Sequence, residues 1–173
     1  MTETNILQLF FYLLPAVVVG AVSFYFFKMH ITNEEKRRRF LLRQENQKEA
    51  LPLKLQAYER MALFLERISL GKLLLRVKPT SDNVEDYEEL LTRTIDMEFD
   101  HNLAQQIYLS GECWNVIKTS KNATIGMVRK TAKREDVNDA AKLRELLLTG
   151  LMDQASPTDA ALDYIKKDVR NMI

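Results

Sequence analysis

The chain has 173 residues, with 25 Lys and Arg against 24 Asp and Glu, 5 Gly, 4 Pro and 1 Cys. That length accommodates one membrane anchor and one compact domain of modest size. Scarce Gly and Pro argue against glycine-rich phosphate cradles and many-turned β folds, and a single cysteine, Cys113, excludes an intramolecular disulfide.

Residues 6–27, ILQLFFYLLPAVVVGAVSFYFF, carry no charge. At roughly 1.5 Å per residue a helix of this length spans about 33 Å, enough to cross a bilayer. Phe10, Phe11 and Tyr12 crowd one end and Phe24 to Phe27 the other. Tyr12 and Tyr25 suit the interfacial belts, and a kink at Pro15 is common in spanning segments. The leading residues 1–5, MTETN, hold Glu3 and no base. The apolar run continues to Phe27, past a weak Ala21-Val22-Ser23 cleavage match, so a retained anchor is expected rather than a cleaved signal. Ala16 and Gly20 form a small-xxx-small step, a candidate helix–helix contact in the membrane.

Six bases follow the span within 16 residues: Lys28, Lys36, Arg37, Arg38, Arg39 and Arg43. Against Glu34 and Glu35 they leave residues 28–43 at net +4, whereas residues 44–173 carry 19 bases and 21 acids. The positive-inside rule then predicts an exported N-terminus and a cytoplasmic C-terminal domain in a single-pass protein, and localisation to the cell inner membrane is expected. The same six bases are expected to contact anionic headgroups. No basic excess remains beyond them to favour nucleic acid.

Residues 28–50 are rich in helix formers and read as a basic juxtamembrane helix. Thr32-x-x-Glu35 is a capping-box pattern that would start it, and Pro52 predicts a kink or a new helix start. A helical cytoplasmic domain is expected over 51–173. Leu51, Leu55, Tyr58, Ala62 and Leu65, with Met61 and Ile68 beside them, mark one helical face. Leu63 and Leu70 fall on the charged side and suggest a second contact surface. Gly71 and Pro79 weaken and end the run. Asp82-x-x-Glu85 reads as the start of a helix over about 84–109, with Ser110-Gly111 as a break. Further helices are expected over about 112–134, with an interruption near Lys121-Asn122, over 136–152, and from Ser156-Pro157. No segment alternates with period two for long, so the fold class is all-α: one transmembrane helix followed by a helical bundle.

The candidate site lies in DMEFDHNLAQQIYLSGECW, residues 96–114. Glu98-x-x-His101 has the spacing with which di-iron bundles hold metal, but such a site needs a second Glu-x-x-His helix. The chain's other histidine, His30, lies at the membrane border without one. On a regular helix Val84, Tyr87, Leu90, Leu91 and Ile95 form the apolar face, and Glu98, His101 and Gln105 extend it. The expectation is a buried polar cluster of those three, with a base paired to Glu98. Cys113 beside Trp114 reads as a small buried hydrophobe. No P-loop, dinucleotide fingerprint, nucleophile elbow or His-Glu-x-x-His is present, and no catalytic residue, metal or cofactor is expected.

LQAYERMALFLERI together with HNLAQQIYLSGECW resembles an uncharacterised family of single-pass bacterial membrane proteins. The resemblance covers the anchor to about residue 120 and implies placement and topology, with no established activity. The plan also resembles that of the ATP synthase b subunit, but broken, core-forming helices replace its long Ala-rich stalk. The reading that follows is a non-enzymatic, membrane-anchored adaptor or structural subunit of a membrane protein complex. Its partners are membrane lipids, other membrane or cytoplasmic proteins, or further copies of itself. The alternatives are a metal-binding protein using Glu98 and His101 across a dimer, and a lipid-surface organiser.

Overall fold

A computed structural model describes residues 3–153 and 156–172. All regular structure among them is helical: α1 (Glu3–Ile68), α2 (Leu70–Arg76), α3 (Val84–His101), a 3-10 turn (Leu103–Ile107), α4 (Gly111–Ala132), α5 (Ala140–Asp153) and α6 (Pro157–Met172). The chain divides into two units, one up to Ala50 and one from Leu51 onward.

The first unit is the part of α1 up to Ala50. Its large apolar side chains from Tyr12 to Phe27 are exposed, and so are Lys28, Lys36, Arg37, Arg38, Arg39, Arg43, Ala16 and Gly20. Thr32 does not start a helix. It lies inside α1 and donates its hydroxyl to the Lys28 carbonyl at 2.8 Å, a back-bond that serves a helix interior as well as a turn. Pro52 does not start one either, since α1 is helical on both sides of it. Proline removes one donor, but its fixed φ is itself helical.

The second unit is a bundle. Ala57, Tyr58, Met61, Phe64, Leu65 and Ile68 of α1 are buried, joined by Leu70, Leu73 and Leu74 of α2 and Tyr87, Leu91, Ile95 and Phe99 of α3. Cys113, Ile117 and Val128 of α4, Leu143 and Leu147 of α5, and Leu162 and Ile165 of α6 complete one contiguous core. α4 is central, packing on α3, α5 and α6, while α2 packs on α5. Leu63 is exposed as expected, but Leu70 is buried. The break falls at Ser69 rather than Gly71, and Leu70, the first residue of α2, is buried with Leu73 and Leu74.

Three further boundaries differ from expectation. Asn83, not Asp82, caps α3, its side chain accepting the Asp86 amide at 3.0 Å. α4 runs through Lys121-Asn122 without interruption, and Ser120 and Thr124 on either side of that pair are buried. α5 begins at Ala140, where Asp139 accepts the Lys142 amide at 2.6 Å. Ser110 behaves as a cap, its Oγ accepting the Cys113 amide at 3.1 Å.

Candidate functional site

Two polar constellations stand out in the bundle. The first is built on Glu98. Arg67, near the end of α1, donates from Nε to Glu98 Oε2 at 2.9 Å and from Nη2 to Oε1 at 2.5 Å. Arg76, at the end of α2, brings its Nη2 to 3.3 Å from the same Oε1. Three helices therefore meet on one carboxylate. The fork-to-fork pairing with Arg67 is the geometry that makes such contacts directional. The Arg67 hydrogen bonds hold the Glu98 carboxyl below its ordinary range; partial burial opposes them, and the charges of Arg67 and Arg76 add to the lowering.

The expected buried cluster of Glu98, His101 and Gln105 does not form. Glu98 and Gln105 are half-buried and His101 is exposed. The reason is local. Asn102 turns its side-chain amide onto the Glu98 carbonyl at 2.8 Å, and His101 Nδ1 lies 2.7 Å from the Met97 carbonyl. These contacts satisfy the last carbonyls of α3 and end it at His101. Gln105 then falls in the 3-10 turn, off the regular helix that would place it beside Glu98. The core position is taken instead by Phe99, four residues beyond Ile95. Its ring packs 5.7 Å from that of Phe64 and stacks 5.2 Å from that of Trp114. Lys121 covers Phe99 at 4.7 Å while pairing with Asp96 at 2.7 Å, so the ammonium is held from both sides.

A metal at Glu98 would have to displace both guanidinium groups, and no cluster of three or more His, Cys, Asp or Glu suited to a metal occurs among the described residues. Around the ion pair lies an open cleft of about 490 Å³, lined by Arg60, Arg67, Thr94, Met97, Glu98, His101 and Asn102. A second cleft, of about 370 Å³, shares Arg60, Arg67 and Asn102 with it and adds Gln56, Glu59, Leu63 and Phe64. Both are lined by residues of the C-terminal part of α1 and by Asn102 at the end of α3.

The second constellation ties α1, α4 and α6 together. Tyr58 donates its hydroxyl to Asp168 Oδ2 at 2.6 Å, and Ser110 donates its own to the same oxygen at 3.0 Å. The Ser110 amide reaches Tyr58 Oη at 3.4 Å. Burial, then the bond to Asp168, pushes the Tyr58 phenol up to about 12. Burial likewise pushes the Cys113 thiol up to about 11, which suits an inert core thiol better than a nucleophile. This clasp is not legible in the sequence. Tyr58 and Asp168 lie 110 residues apart, and no spacing rule connects them.

Comparison with known proteins matches residues 4–172, nearly the whole chain, to a family of unknown function, DUF7935. The chain belongs to that family. The expected resemblance to an uncharacterised family is met at that level, and the match extends beyond residue 120 to the last helix. No curated protein and no solved structure gives a match.

Proposed function

We propose that the chain is a membrane-anchored, single-pass helical adaptor or structural subunit of a membrane protein complex. In this reading the bundle faces the cytoplasm and performs no catalysis. The observation that carries it is the contrast along α1. An uncharged run with exposed apolar side chains is followed at once by six exposed bases, the order expected of an anchor and its cytoplasmic flank. Among the described residues α1 is the one helix long and apolar enough to cross a membrane by length and composition, with a mean hydropathy of 1.6 over its best window.

Affinity purification of the tagged full chain in mild detergent is expected to recover a stoichiometric protein partner. Recovery as an unaccompanied monomer in several detergents would refute the adaptor role. The lipid-surface alternative draws on the exposed run Lys36 to Arg39. Charge reversal there that leaves membrane-surface contacts unchanged would count against it.

A further inference from the structure

α1 passes without a break from the uncharged run into the basic flank, so each residue's distance from the span follows from the helical rise. At about 1.5 Å per residue, Lys36 stands about 14 Å past Phe27, Arg39 about 18 Å and Arg43 about 24 Å. In the anchor reading Phe27 closes the span, and the headgroup layer beyond it is only about 5–7 Å deep. An average tilt of about 20° lowers these heights by roughly a twentieth. The backbones of Arg39, Phe40 and Arg43 thus clear the headgroups by more than the Debye length of about 8 Å. Lys28 meets the lipid surface, whereas these later bases need another counter-charge.

From Lys36 to Arg43 the sequence KRRRFLLR holds five bases and no acid. Lys36, Arg39, Phe40 and Arg43 follow one another at offsets of three, four and seven residues, which sets them on one side of the helix. All four are exposed, Phe40 at 66%. Lys36 and Arg43 form no ion pair among the described residues, and Arg39 meets Glu35 at 3.4 Å in an exposed contact that contributes little. A second copy in the same membrane would bring identical bases to identical heights, and like charges oppose that pairing. Residues 44–173 hold 19 bases against 21 acids, so the counter-charge that fits is a short acidic stretch rather than an extended polyanion. A bare aromatic ring among the bases fits an apolar side chain within that stretch.

We propose that the side of α1 formed by Lys36, Arg39, Phe40 and Arg43 docks an acidic segment of another membrane protein, one that projects from the bilayer into the cytoplasm and sets an apolar side chain against Phe40. The proposal rests on the anchored-adaptor reading and names the surface that performs it.

The test places a photoreactive phenylalanine analogue at Phe40 of the full chain in its native membrane, with Leu41, exposed on the far side of the helix, as the control position. The expected adduct from Phe40 maps to one acid-rich cytoplasmic segment of another membrane protein, and Leu41 gives little of it. Its yield falls about tenfold or more when Lys36→Glu is combined with Arg43→Glu. It holds when Lys36→Arg is combined with Arg43→Lys, and protease reaches the bundle from the same side of the membrane in both variants. An adduct with lipid, RNA, this chain's own bundle, a second copy or a segment without acids overturns the proposal. So does a yield that ignores the charge reversal or is equal from Leu41. If a stoichiometric partner co-purifies but does not cross-link from Phe40, the docking surface is wrong and the adaptor role stands. If no partner co-purifies, both fail.

Discussion

The two most apolar stretches of this chain are treated in opposite ways. Between Tyr12 and Phe27 the side chains are apolar around the whole helix and stay exposed, Phe24 at 71%. Between Ala57 and Leu74 the apolar residues are interleaved with Glu59, Arg60, Glu66 and Arg67, and those on one face are buried, Phe64 to 1%. Pattern, rather than apolar content, decides the outcome. A stripe can be covered by neighbouring helices, and α2 to α6 supply the cover. A helix that is apolar all round suits a bilayer or the core of a larger assembly instead.

Substitutions in the two stretches should therefore fail differently. Phe64→Ala leaves a cavity beside Phe99 and should cost the bundle about 3–5 kcal/mol, read by urea unfolding through Trp114 fluorescence. A loss under about 1 kcal/mol would mean that the bundle is not packed as described. Val18→Arg should leave that unfolding curve unchanged. It should instead weaken membrane retention by about 2.5–3.5 kcal/mol, measured as release on alkaline carbonate extraction. Unaltered retention would end the analogy between Val18 and a lipid-facing residue.

Smaller effects separate the two polar constellations. Tyr58→Phe removes the bond to Asp168 and should cost about 0.5–1.5 kcal/mol. The folded Tyr58 phenol, at about 12, lies above its ordinary value of about 10. Its contribution is thus fully present below that ordinary value and lost as pH rises through the folded one. Tyr58→Phe should flatten that alkaline loss in denaturation curves, and an unchanged slope would assign the loss elsewhere.

Glu98→Gln should cost less, up to about 1 kcal/mol, because Arg67 is half exposed and solvent screens the pair. With its folded value lowered, Glu98 contributes fully above the ordinary carboxylate value of about 4.3. That contribution disappears as pH falls through the folded value. The stability gap between Glu98→Gln and the parent chain should close on acidification, and a gap that widens would reverse the assigned pairing.

Residues close in sequence made much of the fold legible. The stripe from Tyr58 to Ile68, the apolar face from Val84 to Ile95, the Ser110 cap and the Ser156-Pro157 start each rest on spacings of four residues or fewer, and helices formed where they pointed. The site was legible only in part. That a base would answer Glu98 follows from the need to pair a half-buried carboxylate. Which base could not be read, since Arg67 lies 31 residues away on another helix. The regular-helix pattern does not hold beyond Glu98, because a side-chain amide ends α3 at Asn102. Phe99 carried a readable signal at four residues past Ile95, but the polar Glu98 and His101 around it drew the face one residue off.

The sharpest measurement is protease accessibility of the full chain in right-side-out and inside-out membrane vesicles. A single-pass anchor with a cytoplasmic bundle predicts that the residues after Lys28 are protected in the first and cleaved in the second, with residues 6–27 remaining in the membrane pellet. Cleavage of the bundle in right-side-out vesicles, or recovery of the intact chain in the soluble fraction, would contradict it.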